Sequence, residues 1–240
     1  MKKATTILIS ICIIASVKAA VPGIGEYKLE VKDFDKLTVV DGIGIDYHYR
    51  PDSAGYAIFT CPHEQVSHIV FSNNNGHLSV QTDAYEKTIL DLPRVKVYSS
   101  GLSKAVNSGD SLLRISNLPY VETLKVQQIG NGEIALENIS VEIIDATIMT
   151  GHGGISISGN ANKAIFNNVS SGPIDASKLV VSTVKCKVAG SGNIECAPIE
   201  SLSIIGAGTG TIRYHSQPHK IKKRGIGVKL IAAEHNGTEP

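Results

Sequence analysis

Three charged residues, Asp175, Glu195 and Arg213, occupy the same position in three successive repeats of this sequence. Each one directly follows the isoleucine of a short glycine-containing phrase. If the repeats stack as parallel strands, side chains at this position lie about 4.8 Å apart from one coil to the next. Two carboxylates at that separation could hydrolyse a glycosidic bond, because retaining glycosidases hold their carboxyl groups ~5–5.5 Å apart. They could also bind Ca²⁺, with Arg213 holding an acidic sugar.

The same column can also be explained without a catalytic or ligand-binding role. Arg213 would offset the repulsion between Asp175 and Glu195 in a solvent-exposed ladder of charged side chains. We favour this interpretation, because no other polar residues of the sequence converge on the column. The sequence therefore predicts no catalytic residue, and the three side chains remain candidates for binding.

A short basic run near the C-terminus supplies the other candidate binding residues, which are Lys220, Lys222, Lys223 and Arg224. Such a cluster can attract an anionic polysaccharide or anionic lipid headgroups. The same composition is common in solvated loops, and a loop is the interpretation that we favour.

The sequence predicts no metal site and no cofactor. His63 and His68 are five residues apart, and Pro218 lies between His215 and His219, whereas paired metal ligands on a helix are four residues apart on one face. The glycine-rich segment 206–210 precedes a strand-like segment rather than a helix, so it is not a phosphate-binding loop.

The elements that position these residues follow from a repeat of about 20 residues. A phrase ending in isoleucine occurs at 130–134, 151–155, 170–174, 190–194 and 208–212. From isoleucine to isoleucine the steps are 21, 19, 20 and 18 residues (155−134, 174−155, 194−174, 212−194). This period predicts a stack of like units, each burying its apolar face on its neighbours.

Apolar residues recur two positions apart within each repeat, which is typical of strands with one buried face. One pair begins at the repeat isoleucine. The second set of pairs is Leu124/Val126, Ala146/Ile148, Ala164/Phe166, Val184/Cys186 and Leu202/Ile204, and the third is Ile139/Val141, Leu179/Val181 and Ile199. Three inward clusters per repeat predict an all-β chain with a three-sided parallel β-solenoid. An antiparallel sandwich or barrel is the alternative, and the aligned isoleucines favour the solenoid. We expect the turn glycines to have positive φ and no room for a Cβ atom.

The sequence predicts four segments. Residues 1–19 have the basic start, short apolar run and small-residue cleavage site of a signal peptide. A less regular N-terminal β lobe follows at 20–100, the solenoid repeats with a closing strand at 101–234, and a flexible polar tail at 235–240. No second apolar span is present, so we expect a mature chain without a transmembrane anchor.

Charge and cysteine content narrow the function further. The formal net charge is +1 with interspersed signs, which argues against a nucleic-acid partner because phosphate binding needs a concentrated basic face. Cys186 and Cys196 fall at inward positions, where they are either buried thiols or a disulfide.

Several segments in this order resemble the head GIN domain family (DUF2807 type) of auto-transporter adhesins from Bacteroides-like bacteria. The segments are FDKLTVVDGIGIDYHY, NGHLSVQT, the glycine phrases and GAGTGTIRYHSQPHKIKKRGIG, and the resemblance covers roughly residues 30–230. It implies a right-handed parallel β-helix, a cell-envelope or extracellular location and an adhesin or binding role, and it supplies no catalytic residues. Auto-transporters join a passenger to a C-terminal β-barrel, which this sequence lacks, so we do not expect self-translocation.

The leading hypothesis is a non-catalytic exported protein that presents a rigid solenoid surface for adhesion, with a polysaccharide or a host or cell-surface component as partner. It would act in the periplasm, at the outer membrane or outside the cell, and self-association through flat sheet faces is compatible with the fold. A polysaccharide lyase or hydrolase on a β-helix is the second hypothesis, although fold alone is a weak argument for function. A lipid-binding or structural envelope module is the third, and a large open apolar patch would indicate it.

Overall fold

The computed structural model of the chain describes residues 23–82 and 92–233. The signal-peptide segment 1–19 and the tail 235–240 therefore lie outside the described residues. Two short 3₁₀ helices occur, at Pro51–Ser53 and His63–His68. The strands are β1 (Ile24–Glu30), β2 (Lys36–Val40), β3 (Ile45–Tyr49), β4 (Tyr56–Pro62), β5 (Ile69–Asn74), β6 (His77–Thr82), β7 (Val95–Ser99), β8 (Lys104–Ser108), β9 (Leu112–Ser116), β10 (Val121–Ile129), β11 (Glu133–Thr150), β12 (Gly154–Asn168), β13 (Ile174–Val188), β14 (Ile194–Gly206), β15 (Thr211–Tyr214), β16 (Lys220–Gly225) and β17 (Lys229–Ala232).

Successive repeats stack as a parallel β-solenoid, as predicted. The long strands β11 to β14 each bend around the corners of one coil and pair in parallel with the same segments of the next. The repeat isoleucines are direct partners from coil to coil and form one buried column. The column runs through Leu113, Ile134, Ile155, Ile174, Ile194, Ile212 and Leu230. Parallel pairing between neighbours excludes the antiparallel sandwich.

The register divides most strands between two sheets. The first sheet contains β2, β8, β10, the C-terminal halves of β11 to β14, and β16. The second sheet contains β3, β9, the N-terminal halves of β11 to β14, β15 and β17. The middle segments of the long strands form the narrow third side, and the apolar core fills the space enclosed by the three sides.

One predicted inward pair is wrong by two residues. Val126 is the partner of Ala146, and Ala146 is the partner of Phe166, so the aligned pair in that coil is Ile144/Ala146 rather than Ala146/Ile148. The extra residue of the 21-residue step lies in the turn, where the register shifts between Gln128 and Ile129. The sequence could not show whether Ile144 or Ile148 belongs to the aligned pair, because both are isoleucines and both side chains are buried.

The third side also departs from the prediction at one coil. Ile199 is 50% exposed, and Pro198 takes the inward position as the partner of Val181. Two coils before Pro198, Gly159 rather than an apolar side chain is the partner of Leu179. The narrow third side therefore accepts glycine and proline at inward positions. As a result, apolar residues do not recur there at a regular spacing in the sequence.

The two ends of the stack are built differently. At the N-terminal end β1, β4 and β7 pair in antiparallel fashion, as do β5 and β6, and this forms the irregular lobe. At the other end β16 pairs with β14, and β17 pairs with β15. In place of the single closing strand that was predicted, two strands, β16 and β17, end the stack, with residues 226–228 between them.

The glycine phrases combine two requirements. Gly130 and Gly151 have positive φ, as expected, whereas Gly172 and Gly192 do not. A Cβ atom on Gly192 would lie 2.1 Å from the Gly172 carbonyl oxygen of the coil below. The glycine at the third position of each phrase is needed because consecutive turns lie in backbone contact, and not because of its own dihedral angles.

The cysteines are buried thiols. Cys61, Cys186 and Cys196 are all free, so the disulfide alternative is wrong. A hydrogen bond with Cys196 and the burial of the site raise the pKa of the Cys186 thiol well above its usual value. Both groups act as small core side chains.

Candidate functional site: the basic face of the first sheet

The charged column predicted from the repeats exists on the outer surface of the second sheet. Asp175 is the direct partner of Glu195, and Glu195 is the direct partner of Arg213. Arg213 Nη1 lies 3.5 Å from Glu195 Oε1. Asp175 does not join this contact, because its Oδ1 accepts hydrogen bonds from the Ser177 backbone N–H at 3.0 Å and the Ser177 hydroxyl at 2.7 Å.

His215 completes the surroundings of Glu195, which sequence reasoning missed. Its Nε2 lies 2.7 Å from Glu195 Oε2, so one carboxylate is shared by two basic side chains. His215 is two residues after Arg213, and strand alternation could have identified it as a neighbour. Within residues 23–82 and 92–233, no group of three or more His, Cys, Asp or Glu side chains could hold a metal ion. The column is therefore a charge-compensated ladder on an exposed surface.

The basic run near the C-terminus is strand β16, and not the expected loop. Its residues pair with β14, with Lys220 next to Ser201, Lys222 next to Ser203 and Arg224 next to Ile205. These three side chains project outward from the first sheet, because their partners lie on the outer surface. Lys223 is the partner of buried Ile204 and has the opposite orientation. The predicted cluster is thus divided between the two sides of one strand.

The outward side chains of β16 continue a basic surface that covers the first sheet, which we call the basic face. We define it by the cations at outward positions of the first-sheet strands. They are Lys36, Lys104, Lys125, Lys163, Lys185, Lys187, Lys220, Lys222 and Arg224. Asp145 is the carboxylate that lies among these cations, whereas Glu122, Glu142 and Glu200 are exposed or half-exposed where the first-sheet segments of β10, β11 and β14 begin.

The positive charges of this face are not neutralised locally. None of its cations forms an ion pair with another described residue. Asp145 is engaged by a neutral group, since its Oδ1 accepts a hydrogen bond from Asn167 Nδ2 at 3.0 Å. Cations held on one flat face with few counter-charges create a positive potential that attracts anions.

The second sheet shows the contrast. Arg94 Nη1 lies 3.0 Å from Asp46 Oδ1, and Arg114 lies 3.6 Å from the same oxygen. Arg114 Nε also lies 3.3 Å from Glu137 Oε1. Charges of both signs thus pair on the second sheet, whereas the first sheet keeps its positive charge free. The expectation of interspersed charges holds along the chain and fails in the folded structure.

Two surface depressions lie on the basic face. The larger, of about 570 Å³, is bordered by Lys187 and Arg224 near the turns that end the first-sheet strands. The smaller, of about 280 Å³, lies among Lys104, Lys125 and Asp145. Both positions place cations beside space that a ligand can enter.

None of the helices in the described part of the chain is long and apolar enough to cross a membrane. No curated protein matches the chain in a sequence comparison. Solved structures that match the fold include an adhesin from Bacteroides fragilis, with TM-score 0.76, 21% identity and coverage of 89% of this chain and 98% of that one. Others are a protein from Parabacteroides distasonis described as lipid-binding (TM-score 0.68, 19% identity, coverage 89% and 98%) and an adhesin from Parabacteroides merdae (TM-score 0.65, 19% identity, coverage 89% and 97%). At these identities the likeness shows a shared fold.

A family model described as "Putative auto-transporter adhesin, head GIN domain" matches residues 33–218. The matched region begins just before β2 and ends just before β16, so it contains nearly the whole solenoid and most of the irregular N-terminal lobe. The family description is that of an adhesin and not of an enzyme, in agreement with the sequence prediction. The chain belongs to the head GIN domain family of auto-transporter adhesins.

Proposed function

We propose that this protein is an exported, non-catalytic adhesin whose basic face binds an acidic polysaccharide. The observation that carries the proposal is the set of unpaired cations on one flat sheet, with Asp145 as the carboxylate among them. Each coil adds side chains about 4.8 Å from those of the coil before. A linear polyanion lying across several coils would therefore meet a cation repeatedly.

Such binding depends on many weak contacts. An exposed ammonium group near an anionic surface contributes about 1 kcal/mol, and salt screens it over roughly 8–10 Å. The hydrogen-bonded sheet fixes the backbone positions of these cations, so binding orders only their side chains. The proposal therefore predicts multivalent binding that weakens steeply as the salt concentration rises.

Membership in an adhesin family supports an exported location, as does the signal peptide predicted at residues 1–19. Acidic polysaccharides are surface polymers of bacteria and of animal tissue, so an exported protein can meet them in the cell envelope or outside the cell. An exported location favours such a polymer over nucleic acid as the natural polyanion. Because the cations of the basic face could attract any polyanion, nucleic acid must also be tested as a ligand.

The experiment measures binding of the mature chain to polygalacturonate by calorimetry at two salt concentrations. The variant Lys185→Glu/Lys222→Glu reverses two charges of the basic face. Lys96→Glu/Lys229→Glu makes the same change in net charge away from that face, on β7 and β17. We expect the first variant to lose about tenfold or more in affinity and the second to stay near wild type.

Equal losses in the two variants would show that only net charge matters and would overturn the proposal. Tighter binding of duplex DNA than of polygalacturonate at the same salt concentration would overturn the assignment of a polysaccharide. Neutral dextran should not bind, because it lacks the charge that the face recognises.

A further inference from the structure

The larger depression of the basic face differs from the rest of that face in its chemistry. It extends over β12, β13, β14 and β16, which span about 14 Å at the usual strand spacing. Its exposed walls are almost entirely apolar. Lys187 and Arg224 are the charged groups at its border.

The groove arises from a change of side-chain size along one stacked column. Val169, Ala189 and Ala207 follow one another at the ends of successive strands, as their backbone N–H groups each bond to the coil before. The two alanines leave a depression beside Ile205, which occupies the adjacent outward position. Ile205 is 46% exposed and Val169 is 54% exposed. A ligand that covered these side chains would bind favourably there, because it would remove their apolar surface from water.

The charges at the border lie on either side of the apolar floor. Lys187, Ile205 and Arg224 are consecutive partners in one outward column. The two cations are therefore two strand spacings apart, about 9.6 Å at the backbone. Neither one forms an ion pair with another described residue.

We propose that this groove binds a free anionic amphiphile with a single acyl chain, of the fatty-acid type. The chain would lie over Ile205, Val169 and the two alanines, and the carboxylate would meet Arg224 or Lys187 at the border. The planar guanidinium of Arg224 suits a carboxylate because it can donate two parallel hydrogen bonds. A depression of about 570 Å³ is within the size range of small-molecule sites and is shallow enough for one chain. A polysaccharide has no comparable apolar segment, so this site is additional to the proposed polysaccharide surface.

The test uses dodecanoate, below its micellar concentration, with the mature chain in a calorimeter. Ala207→Trp fills the groove, and Ser156→Trp adds the same ring at an exposed position of the second sheet. We expect Ala207→Trp to weaken dodecanoate binding about tenfold or more and Ser156→Trp to leave it unchanged. Ala207→Trp should also leave polygalacturonate binding near wild type, whereas Lys185→Glu/Lys222→Glu should weaken polygalacturonate more than dodecanoate.

Three outcomes would overturn the proposal. The first is equal binding of dodecyltrimethylammonium, which has the same chain and the opposite charge. The second is binding to phosphatidylglycerol vesicles with none to free dodecanoate, which would indicate a membrane surface. The third is an unchanged affinity in Ala207→Trp. If the wild-type protein binds polygalacturonate but not dodecanoate, this proposal alone fails. If the wild-type protein binds dodecanoate but not polygalacturonate, the polysaccharide proposal alone fails.

Discussion

The buried side chain of Asn168 holds the glycine turn that follows it, because its Nδ2 donates a hydrogen bond to the Gly172 carbonyl oxygen at 2.8 Å. Its Oδ1 accepts a second bond from the Ser170 backbone N–H at 3.1 Å. Asn107 repeats the arrangement in an earlier coil, with its Nδ2 2.8 Å from the Ser111 carbonyl oxygen. This inward column, which also contains buried Gln128 and Ile148, thus includes asparagines that satisfy the turn backbone from inside.

We expect Asn168→Leu to lower the free energy of unfolding by roughly 2–3 kcal/mol. Leucine has a similar size, but it leaves the Ser170 N–H and the Gly172 carbonyl group without partners in a buried turn. Asn167→Ala is the control, because it removes only partly exposed contacts to Asp145 and Thr147 and should cost about 1 kcal/mol or less. Urea unfolding of the three proteins checks the difference. Equal losses would show that the buried asparagine has no special role.

Gly192→Ala should destabilise the solenoid by about 3 kcal/mol. Its Cβ atom would lie 2.1 Å from the Gly172 carbonyl oxygen and 2.5 Å from Asn168 Nδ2, so two coils would have to separate. Gly101→Ala is the matched change at an open position, where no atom lies within 4 Å of the new Cβ. That variant should be neutral or more stable by roughly 0.4–1 kcal/mol, since alanine restricts the unfolded chain. Similar unfolding curves for the two variants would contradict the backbone-contact argument.

The sequence predicted the parts of the fold where each coil repeats the same physical requirement. The isoleucine column was found because every coil must fill the same place in the core, and the turn glycines were found because every turn touches the next. The narrow third side was predicted poorly, since Pro198 and Gly159 satisfy it without an apolar period. The two asparagines were missed because their repeat position varies between polar and apolar residues, with Gln128, Ile148 and Val188 in the other coils.

The candidate site was predicted in part for a related reason. The column of Asp175, Glu195 and Arg213 lies within neighbouring repeats and could be aligned by eye. The basic face was missed because residues such as Lys36, Lys104 and Lys185 are far apart in the chain and become neighbours only through stacking. The net charge of +1 gives no sign of the basic face, because acidic residues elsewhere in the chain balance its positive charge.

The variant Asp175→Asn/Glu195→Gln should change the free energy of unfolding by about 1 kcal/mol or less. The ion pair between Glu195 and Arg213 is solvent-exposed, with side chains 34% and 49% accessible, and such pairs contribute little. Polygalacturonate binding should stay near wild type, because the column lies on the second sheet. The measurements are thermal unfolding and the same calorimetric titration. Cleavage of a polysaccharide by the wild type that this variant lacks would instead support the hydrolase hypothesis.

Asp33 should make the stability of the N-terminal lobe depend on pH in the acid range. Burial raises the pKa of this carboxyl group, but hydrogen bonds from Ser100 and from the Phe34 backbone N–H outweigh it and hold the pKa below its usual value of 3.8. A lowered pKa in the folded state gives stability that is complete above the usual value and is lost as the pH falls through the folded value. Asp33→Asn should therefore flatten the fall in melting temperature below about pH 4.

Ser100→Ala tests the cause of that shift, since it removes the hydroxyl donor and keeps the carboxylate. The melting temperature of this variant should begin to fall at a higher pH than that of wild type. Identical pH profiles for wild type and Asp33→Asn would show that other carboxyl groups control acid unfolding.

Lys223 should keep the end of the solenoid from pairing with a second copy. Strand β16 pairs with β14 on one edge, and no other described strand occupies its second edge. Lys223 extends the inward column above Ile204, so an end-to-end contact would bury its ammonium group against apolar side chains. We expect Lys223→Ile to self-associate in sedimentation experiments at concentrations where wild type is monomeric. Lys222→Ile has the same composition and points outward, so it should remain monomeric. Equal association of the two variants, or end-to-end assembly of the wild type, would contradict this role for Lys223.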